Sequence, residues 1–278
     1  MNARGRGSFL FCHQVLIMFK HDNDFSFMPD ASAEFPWAGG GIVASGDSCV
    51  ILEFSSIFCP EANHQAANAA AMLTAAKQAG KLIGVLDIVP AMVTVGVHYL
   101  PERIRCGEGE SSPYKALCRQ IIAVLQAPFS ATLQPPRQID IPVCYGGAFG
   151  PDLAQTAALC GLSPAALIEK HTAHWLDVLM LGFAPGHAYI GMLDSTLTPP
   201  RRATPRTQVR QGSIGIANRQ SVIYPMDLPG GWNIIGRTPL TVFATDREEP
   251  CLFRNADRVR FVAIDEPTFY AMAQEAQR

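Results

Sequence analysis

The 278-residue sequence lacks the signatures of several readily identified protein classes. No run approaches the roughly 18 consecutive apolar residues that a bilayer-spanning helix needs. The apolar stretch Phe9 to Phe19 is broken by His13 and Gln14, ends on Lys20, His21 and Asp22, and is followed by no small-residue cleavage site. A signal peptide is therefore not expected, and residues 1–35 are read as a poorly ordered extension. No C-x-x-C pair occurs among Cys12, Cys49, Cys59, Cys106, Cys118, Cys144, Cys160 and Cys251, most of which stand beside Val, Leu, Ile or Ala. Buried free thiols in a reducing cytoplasm fit this pattern better than disulfides or zinc. Charge is sparse as well: 17% of residues are charged and the net formal charge is -2, which disfavours nucleic acid as a partner. The phosphate loop G-x-x-x-x-G-K-S/T, a spaced-glycine dinucleotide fingerprint and the G-x-S-x-G elbow are all missing. Ser213 has no sequence sign of an activating base, which weakens a serine-hydrolase reading.

What is present is enough for a sizeable core, with 48% hydrophobic residues and one apolar face that a partner would cover. After a Gly-rich lead-in, Ser48–Phe54 reads as a strand, Pro60–Gln78 as an alanine-rich helix closed by Gly80, Leu82–Pro90 and Met92–Tyr99 as strands, and Ser112–Leu125 as a helix. That order describes a small α+β domain of split βαβ type over residues 36–127. Residues 128–140 are proline-bearing and aperiodic, an expected linker. From Ile141 to the end, short strands separated by Gly and Pro predict a barrel or sandwich: 178–183, 213–217, 221–224, 232–236, 240–244 and 259–264. A helical excursion interrupts it, Leu153–Cys160 and Ser163–His171, with Ser163 as N-cap and Pro164 at the first helical position.

The densest chemistry lies between Pro199 and Pro239. Arg201, Arg202, Arg206, Arg210, Arg219 and Arg237 share this segment with a single acidic residue, Asp227, so an anion or an acidic surface is favoured there. Forked guanidinium groups at Arg202, Arg206 and Arg237 suit a carboxylate or phosphate, although arginines of a β domain also serve as solvated strand ends. His187, in the turn Gly182 to Tyr189, is a candidate acid or base facing a cleft, with a structural role in the turn as the competing reading. Trp232 after Pro229-Gly230-Gly231 is a core residue or pocket wall. His171, His174 and Asp177 are spaced as a possible metal triad, but His171 satisfied by backbone carbonyls at a helix end is the favoured alternative, and no metal site is expected.

The runs Ile141–Gly147, Phe149–Leu153, His171–Ala173, Gly182–Gly186, Thr204–Arg206, Gly212–Ala217, Ile223–Pro225 and Pro229–Pro239 together resemble the B subunit of bacterial ATP-dependent 5-oxoprolinase. This is the KipI type, also described as allophanate hydrolase subunit 1. The likeness is dense over 141–264 and looser over 46–125; it departs from the family pattern at Ala148, His187 and Arg210. The resemblance implies a cyclophilin-like β-barrel over 141–278, of the kind found in the carboxyltransferase region of urea carboxylase. It implies homologous A and C subunits as partners and a cytoplasmic complex that opens the lactam of 5-oxo-L-proline to L-glutamate, with ATP and magnesium bound by the complex. In that setting His187, Arg202 and Arg237 are the catalytic candidates. Tyr145, Gly146, Gly147, Arg206, Gln220, Tyr224, Gly230, Gly231 and Trp232 would bind substrate or nucleotide. A regulatory protein such as a histidine-kinase inhibitor, or a component of an enzyme acting on a related amide or allophanate, is the alternative.

Overall fold

The computed structural model of the chain describes residues 40–107, 112–127 and 136–275; the expected extension and residues 128–135 of the expected linker lie outside these. The first part is a four-stranded antiparallel sheet in the order β1 (Gly41–Ala44), β2 (Cys49–Glu53), β4 (Thr94–Tyr99), β3 (Val85–Pro90). β4 runs antiparallel to both β2 and β3, so β2 and β3 are parallel with β4 between them, as a split βαβ unit requires. β1 was not anticipated. Ile42, Leu52 and Val95 lie opposite one another across three strands and, with Val50 and Val97, form the buried face.

Helix α1 (Pro60–Gln78) packs against this sheet because its buried residues recur at helical spacing: Ala62, Ala66, Ala69, Ala70, Leu73 and Ala76. Alanines let the helix axis approach closely. Helix α2 (Pro113–Gln126) starts where Ser112 accepts a hydrogen bond from the Lys115 N–H, and it buries Ala116, Leu117, Cys118 and Ile121. Asn63 on α1 is buried and donates to the carbonyls of Met92 at 2.7 Å and Leu179 at 2.9 Å, which ties the helix to the barrel.

The barrel is closed, in the order β10 (Gln220–Ile223), β7 (Ala188–Gly191), β6 (Leu176–Leu181), β13 (Arg258–Ile264), β5 (Gln138–Tyr145), β12 (Asn233–Arg237), β9 (Ser213–Ala217). β5 and β13 are parallel and the other neighbours antiparallel. Ile141, Val143, Val178, Ala188, Ile190, Ile214, Ile216, Ile223, Ile235, Val259 and Phe261 fill the interior, two residues apart along their strands as the pleat demands. β5 begins at Gln138, three residues inside the stretch read as linker.

Helices α3 (Leu153–Leu159) and α4 (Pro164–Thr172) form the expected excursion, with Ser163 accepting from the Ala166 N–H. The sequence reading missed β7, a small hairpin of β8 (Arg206–Val209) with β11 (Leu228–Gly230), and helix α5 (Glu266–Glu275). The strand expected over 240–244 is reduced to one bridge, Phe243 with Cys251. Among the described residues no helix is long and apolar enough to cross a membrane.

Candidate functional site

Three neighbourhoods receive the residues singled out from sequence. The first is organised by Asp152, the residue just before α3, which is 4% exposed. Its carboxylate accepts from Arg206 Nη1 at 2.8 Å and Nη2 at 2.7 Å, from Arg202 Nη1 at 3.1 Å and from the Ile234 N–H at 2.7 Å. Burial opposes the ionised form of Asp152, but the Arg206 hydrogen bonds, the Ile234 N–H and the two guanidinium charges outweigh it and hold the pKa below the ordinary carboxylate value. Part of the positive charge of the 199–239 segment is thus offset from a distant part of the chain. Arg206 has both ends of its fork on Asp152, which fixes the β8 hairpin, and is not free to clamp a ligand. Nothing in the local sequence reveals this pairing, because Asp152 stands 50 and 54 residues before its two arginines.

Arg201 and Arg202 line an open cavity of about 410 Å³ together with Gln155 and Leu159 of α3, Thr204 and Asn233. Among the described residues no carboxylate lines it. The buried Nε of Arg202 has no hydrogen-bond partner. Asp152 sets one negative charge against the two guanidinium groups it pairs, Arg202 and Arg206, which leaves a positive excess suited to a small anion.

The second neighbourhood adjoins the first through Arg201, whose guanidinium lies 4.7 Å from the centre of the Trp232 ring. Trp232 meets Tyr189 at 6.1 Å between centroids, and His187 touches Tyr189 at 4.8 Å, Phe183 at 5.3 Å and Tyr224 at 5.4 Å. These rings lie outside the barrel interior, since Ala188 and Ile190 on either side of Tyr189 point inward. Gly215 and Gly230 make room for them: a Cβ at Gly215 would lie 2.6 Å from Cβ of Trp232, and one at Gly230 would lie 1.9 Å from Oη of Tyr224. The Gly231 carbonyl accepts from the Arg202 N–H at 2.8 Å. Burial raises the Tyr224 phenol to about 12. His187 is 1% exposed rather than facing an open cleft, and burial depresses its pKa to about 3, so the ring is neutral.

The third neighbourhood is a buried relay. Tyr145 Oη lies 2.7 Å from His171 Nδ1, and His171 Nε2 lies 3.1 Å from Ser221 Oγ, with the imidazole stacked 4.1 Å from Phe261. Burial lowers the His171 pKa to about 3 and raises that of Tyr145. The expected backbone-carbonyl partners of His171 are replaced by two side chains, and the Tyr145 hydroxyl is turned into the fold instead of toward a ligand. Asp177 meets His64 at 3.3 Å and Arg258 at 3.5 Å, so the considered triad with His171 and His174 does not assemble. Among the described residues no group of three or more His, Cys, Asp or Glu could hold a metal ion.

The remaining candidates are dispersed. Arg237 donates to the Gln211 carbonyl at 2.7 Å and lies 5.9 Å from the Phe269 ring centre. Gly146 donates to the Ile235 carbonyl at 3.0 Å within a turn, with left-handed φ values of 71° at Gly146 and 51° at Gly147. Gln220 opens β10 opposite Gly191 and Ala217. Asp152 and Tyr189 were not among the candidates read from the sequence, though Asp152 lies within the run Gly150-Pro151-Asp152-Leu153, and Arg201 was singled out only as one of the arginines of the 199–239 segment.

Residues 41–253 match the carboxyltransferase domain, subdomain C and D. The chain is 36% identical over 236 residues to the B subunit of 5-oxoprolinase from Bacillus subtilis (strain 168), covering 83% of this chain and 95% of the relative. It is 51% identical over 134 residues to the protein of the same name from Escherichia coli O157:H7, covering 48% of this chain and 62% of that one. Among solved structures, TTHA0988 superposes with a TM-score of 0.67 at 31% identity over 80% of this chain, which spans 40% of that protein. The Kluyveromyces lactis urea amidolyase shares the fold, with a TM-score of 0.64 at 15% identity over 84% of this chain and 15% of its own. With a domain match over most of its length and a relative aligned nearly end to end, this chain belongs to the family of 5-oxoprolinase B subunits.

Proposed function

We propose that the chain is the B subunit of an ATP-dependent 5-oxoprolinase, acting with A and C subunits to open a lactam to an amino acid. The observation that carries the reading is the acid-free cavity walled by Arg201 and Arg202 and backed by Asp152, in a member of this family. A lactam is a poor electrophile, and ATP makes it reactive: the lactam oxygen attacks the γ-phosphorus and ADP leaves. Water then adds to the activated carbon and the C–N bond breaks with its electron pair going to the protonated nitrogen, which leaves an acyl phosphate; a second water hydrolyses this to release phosphate and glutamate. The arginines of this chain hold the carboxylate that such a substrate carries and offset developing negative charge in a partly enclosed site. ATP enters as co-substrate. Magnesium does not fit this cavity, whose nearby carboxylate, Asp152, already accepts from two arginines, so the reading routes no metal through these residues.

The test is release of glutamate and ADP from 5-oxoproline and ATP by the chain mixed with its A and C partners, each omitted in turn. Arg201→Met should raise the substrate concentration needed for half-maximal rate by about ten-fold or more, the loss of one charge-assisted contact. An assembled complex that turns over equally well without this chain would exclude a catalytic role for it.

A further inference from the structure

Asn233, the first residue of β12, is 5% exposed and yet lines the 410 Å³ cavity. Its Nδ2 donates to the Pro200 carbonyl at 2.8 Å and to the Ile216 carbonyl at 3.1 Å. Two carbonyls require two amide hydrogens, so the orientation of the carboxamide is fixed and no N–H of this side chain is left for a ligand. The one polar atom it keeps for the cavity is Oδ1, an acceptor that makes no hydrogen bond among the described residues and is not sealed from solvent. The backbone on either side is held too: Asn218 donates to the Pro199 carbonyl at 2.9 Å and Arg202 to that of Gly231 at 2.8 Å. Donors stand in the same wall. Arg202 gives an Nη1 hydrogen to Asp152 at 3.1 Å, its Nε is buried without a partner, and its guanidinium makes no other hydrogen bond among the described residues. Thr204 and Gln155, both exposed, add a hydroxyl and an amide. Donors alone would take any small anion. A fixed acceptor beside them disfavours a bare oxygen, because two acceptors then face each other, and favours an anion that brings a hydrogen of its own.

We propose that the cavity is a site for a protonated oxyanion, hydrogen phosphate, with Arg202 and Thr204 donating to its bare oxygens and Asn233 Oδ1 accepting from its P–OH. A tetrahedral ion suits this set because it offers bare oxygens to the donors and a hydroxyl to the acceptor at the same time. Sulfate, of the same shape, has no hydrogen to give. The binding goes beyond the lactam reading and does not need it. One consequence does rest on that reading: phosphate released by the reaction competes with the substrate carboxylate for Arg202, so the product inhibits.

The experiment is calorimetric titration of the full chain at neutral pH with inorganic phosphate, sulfate and monofluorophosphate. The last two match phosphate in shape but lack the hydroxyl. Phosphate should bind about ten-fold or more tightly than either, the effect of one hydrogen bond turned into an acceptor–acceptor contact. Gln155→Glu changes an exposed residue of the wall and sets a carboxylate beside the anion; it should weaken phosphate by about three-fold or more while leaving the preference over sulfate. Asn233→Leu should bring the three anions within about two-fold. That variant strands the Pro200 and Ile216 carbonyls, and if it does not fold, the wild-type preference and the Gln155→Glu loss decide. Equal binding of the three anions by the wild type, no binding of phosphate, or phosphate binding indifferent to Gln155→Glu overturns the assignment. Glutamate release by the assembled complex is scored separately. Phosphate-selective binding without release keeps the site and removes the reaction, whereas release without phosphate-selective binding keeps the reaction and removes the site.

Discussion

Replacing Asp152 by asparagine is the most informative single perturbation of the arginine cluster. The change keeps shape and one acceptor oxygen but removes the charge that balances Arg202 and Arg206, and it turns an amide donor toward a guanidinium. Breaking a buried ion pair from one side costs roughly 3–5 kcal/mol. Here the arginine side chains are 30% and 27% exposed, so water recovers part of that loss, and the amide oxygen still accepts the Ile234 N–H. The expected destabilisation is therefore about 2–3 kcal/mol. Urea unfolding at pH 7 should show it as a lower midpoint with an unchanged slope.

The pH dependence supplies a second, independent readout. The folded pKa of Asp152 lies below its unfolded value, so its contribution is fully present above the unfolded carboxylate value of about 3.9 and is lost as pH falls through the folded pKa. Wild type and Asp152→Asn should therefore keep a constant gap at neutral pH and converge in acid. Adding Arg206→Met to Asp152→Asn should recover stability relative to Asp152→Asn alone, because the uncompensated cation goes with it. A loss under about 0.5 kcal/mol, or a gap that persists undiminished in strong acid, would refute the account.

Three further outcomes follow from the geometry. His171 and His187 are held neutral with pKa values of about 3, whereas the unfolded chain protonates both below about 6.5; stability should fall as pH drops from there, by up to ~1.4 kcal/mol per pH unit for each. His187→Phe should remove one proton's worth of that slope in unfolding curves taken between pH 7 and 5. Asn63→Ala strands the carbonyls of Met92 and Leu179 and should cost about 2–3 kcal/mol in urea unfolding. Gly150→Ala would place a Cβ 1.9 Å from the Ile235 carbonyl oxygen and should abolish soluble folded protein. Gly147→Ala meets no atom within 4 Å and should cost only about 1 kcal/mol for its left-handed φ, as thermal unfolding would show.

How far the sequence reveals this molecule depends on whether the governing interaction is local. Helix α1 was legible because its apolar positions repeat every three or four residues, and α4 because Ser163 and Pro164 mark its start. β7 was not, because Ala188, Tyr189, Ile190 and Gly191 are all buried and give no alternation. The 240–244 segment has the composition of a strand but lacks a neighbouring edge beyond Cys251. α5 carried a readable cap, Asp265 accepting from the Thr268 N–H at 2.9 Å with Pro267 between them, and was overlooked. At the site, residue types were informative and partners were not. Arginines in a carboxylate-poor run suggested anion binding, yet the orientation of Arg202 and Arg206 is set by a carboxylate in another element. Similarly, His171 at a helix end suggested carbonyl partners, while its ring turned inward to Tyr145 and Ser221.

Strand alternation explains why one carboxylate can organise so much. Ile214, Ile216, Ala188 and Ile190 occupy the barrel interior, so Gly215 and Tyr189 necessarily present the outer surface, where the missing side chain of Gly215 leaves room for Trp232. An aromatic floor of this kind would be exposed without a cover. The cover is the 200–206 segment, held by the Arg202 N–H on the Gly231 carbonyl and by Arg202 and Arg206 on Asp152. Once those two arginines are paired, the position of the segment is fixed and Arg201 is carried onto Trp232. Asp152 therefore acts in two ways: it anchors the cover, and it reduces the charge of Arg202 and Arg206 without cancelling it. A neutral residue at 152 would loosen the cover while making the cavity more positive, so weaker binding of an anion by Asp152→Asn would show that placement of Arg201 matters more than the total charge.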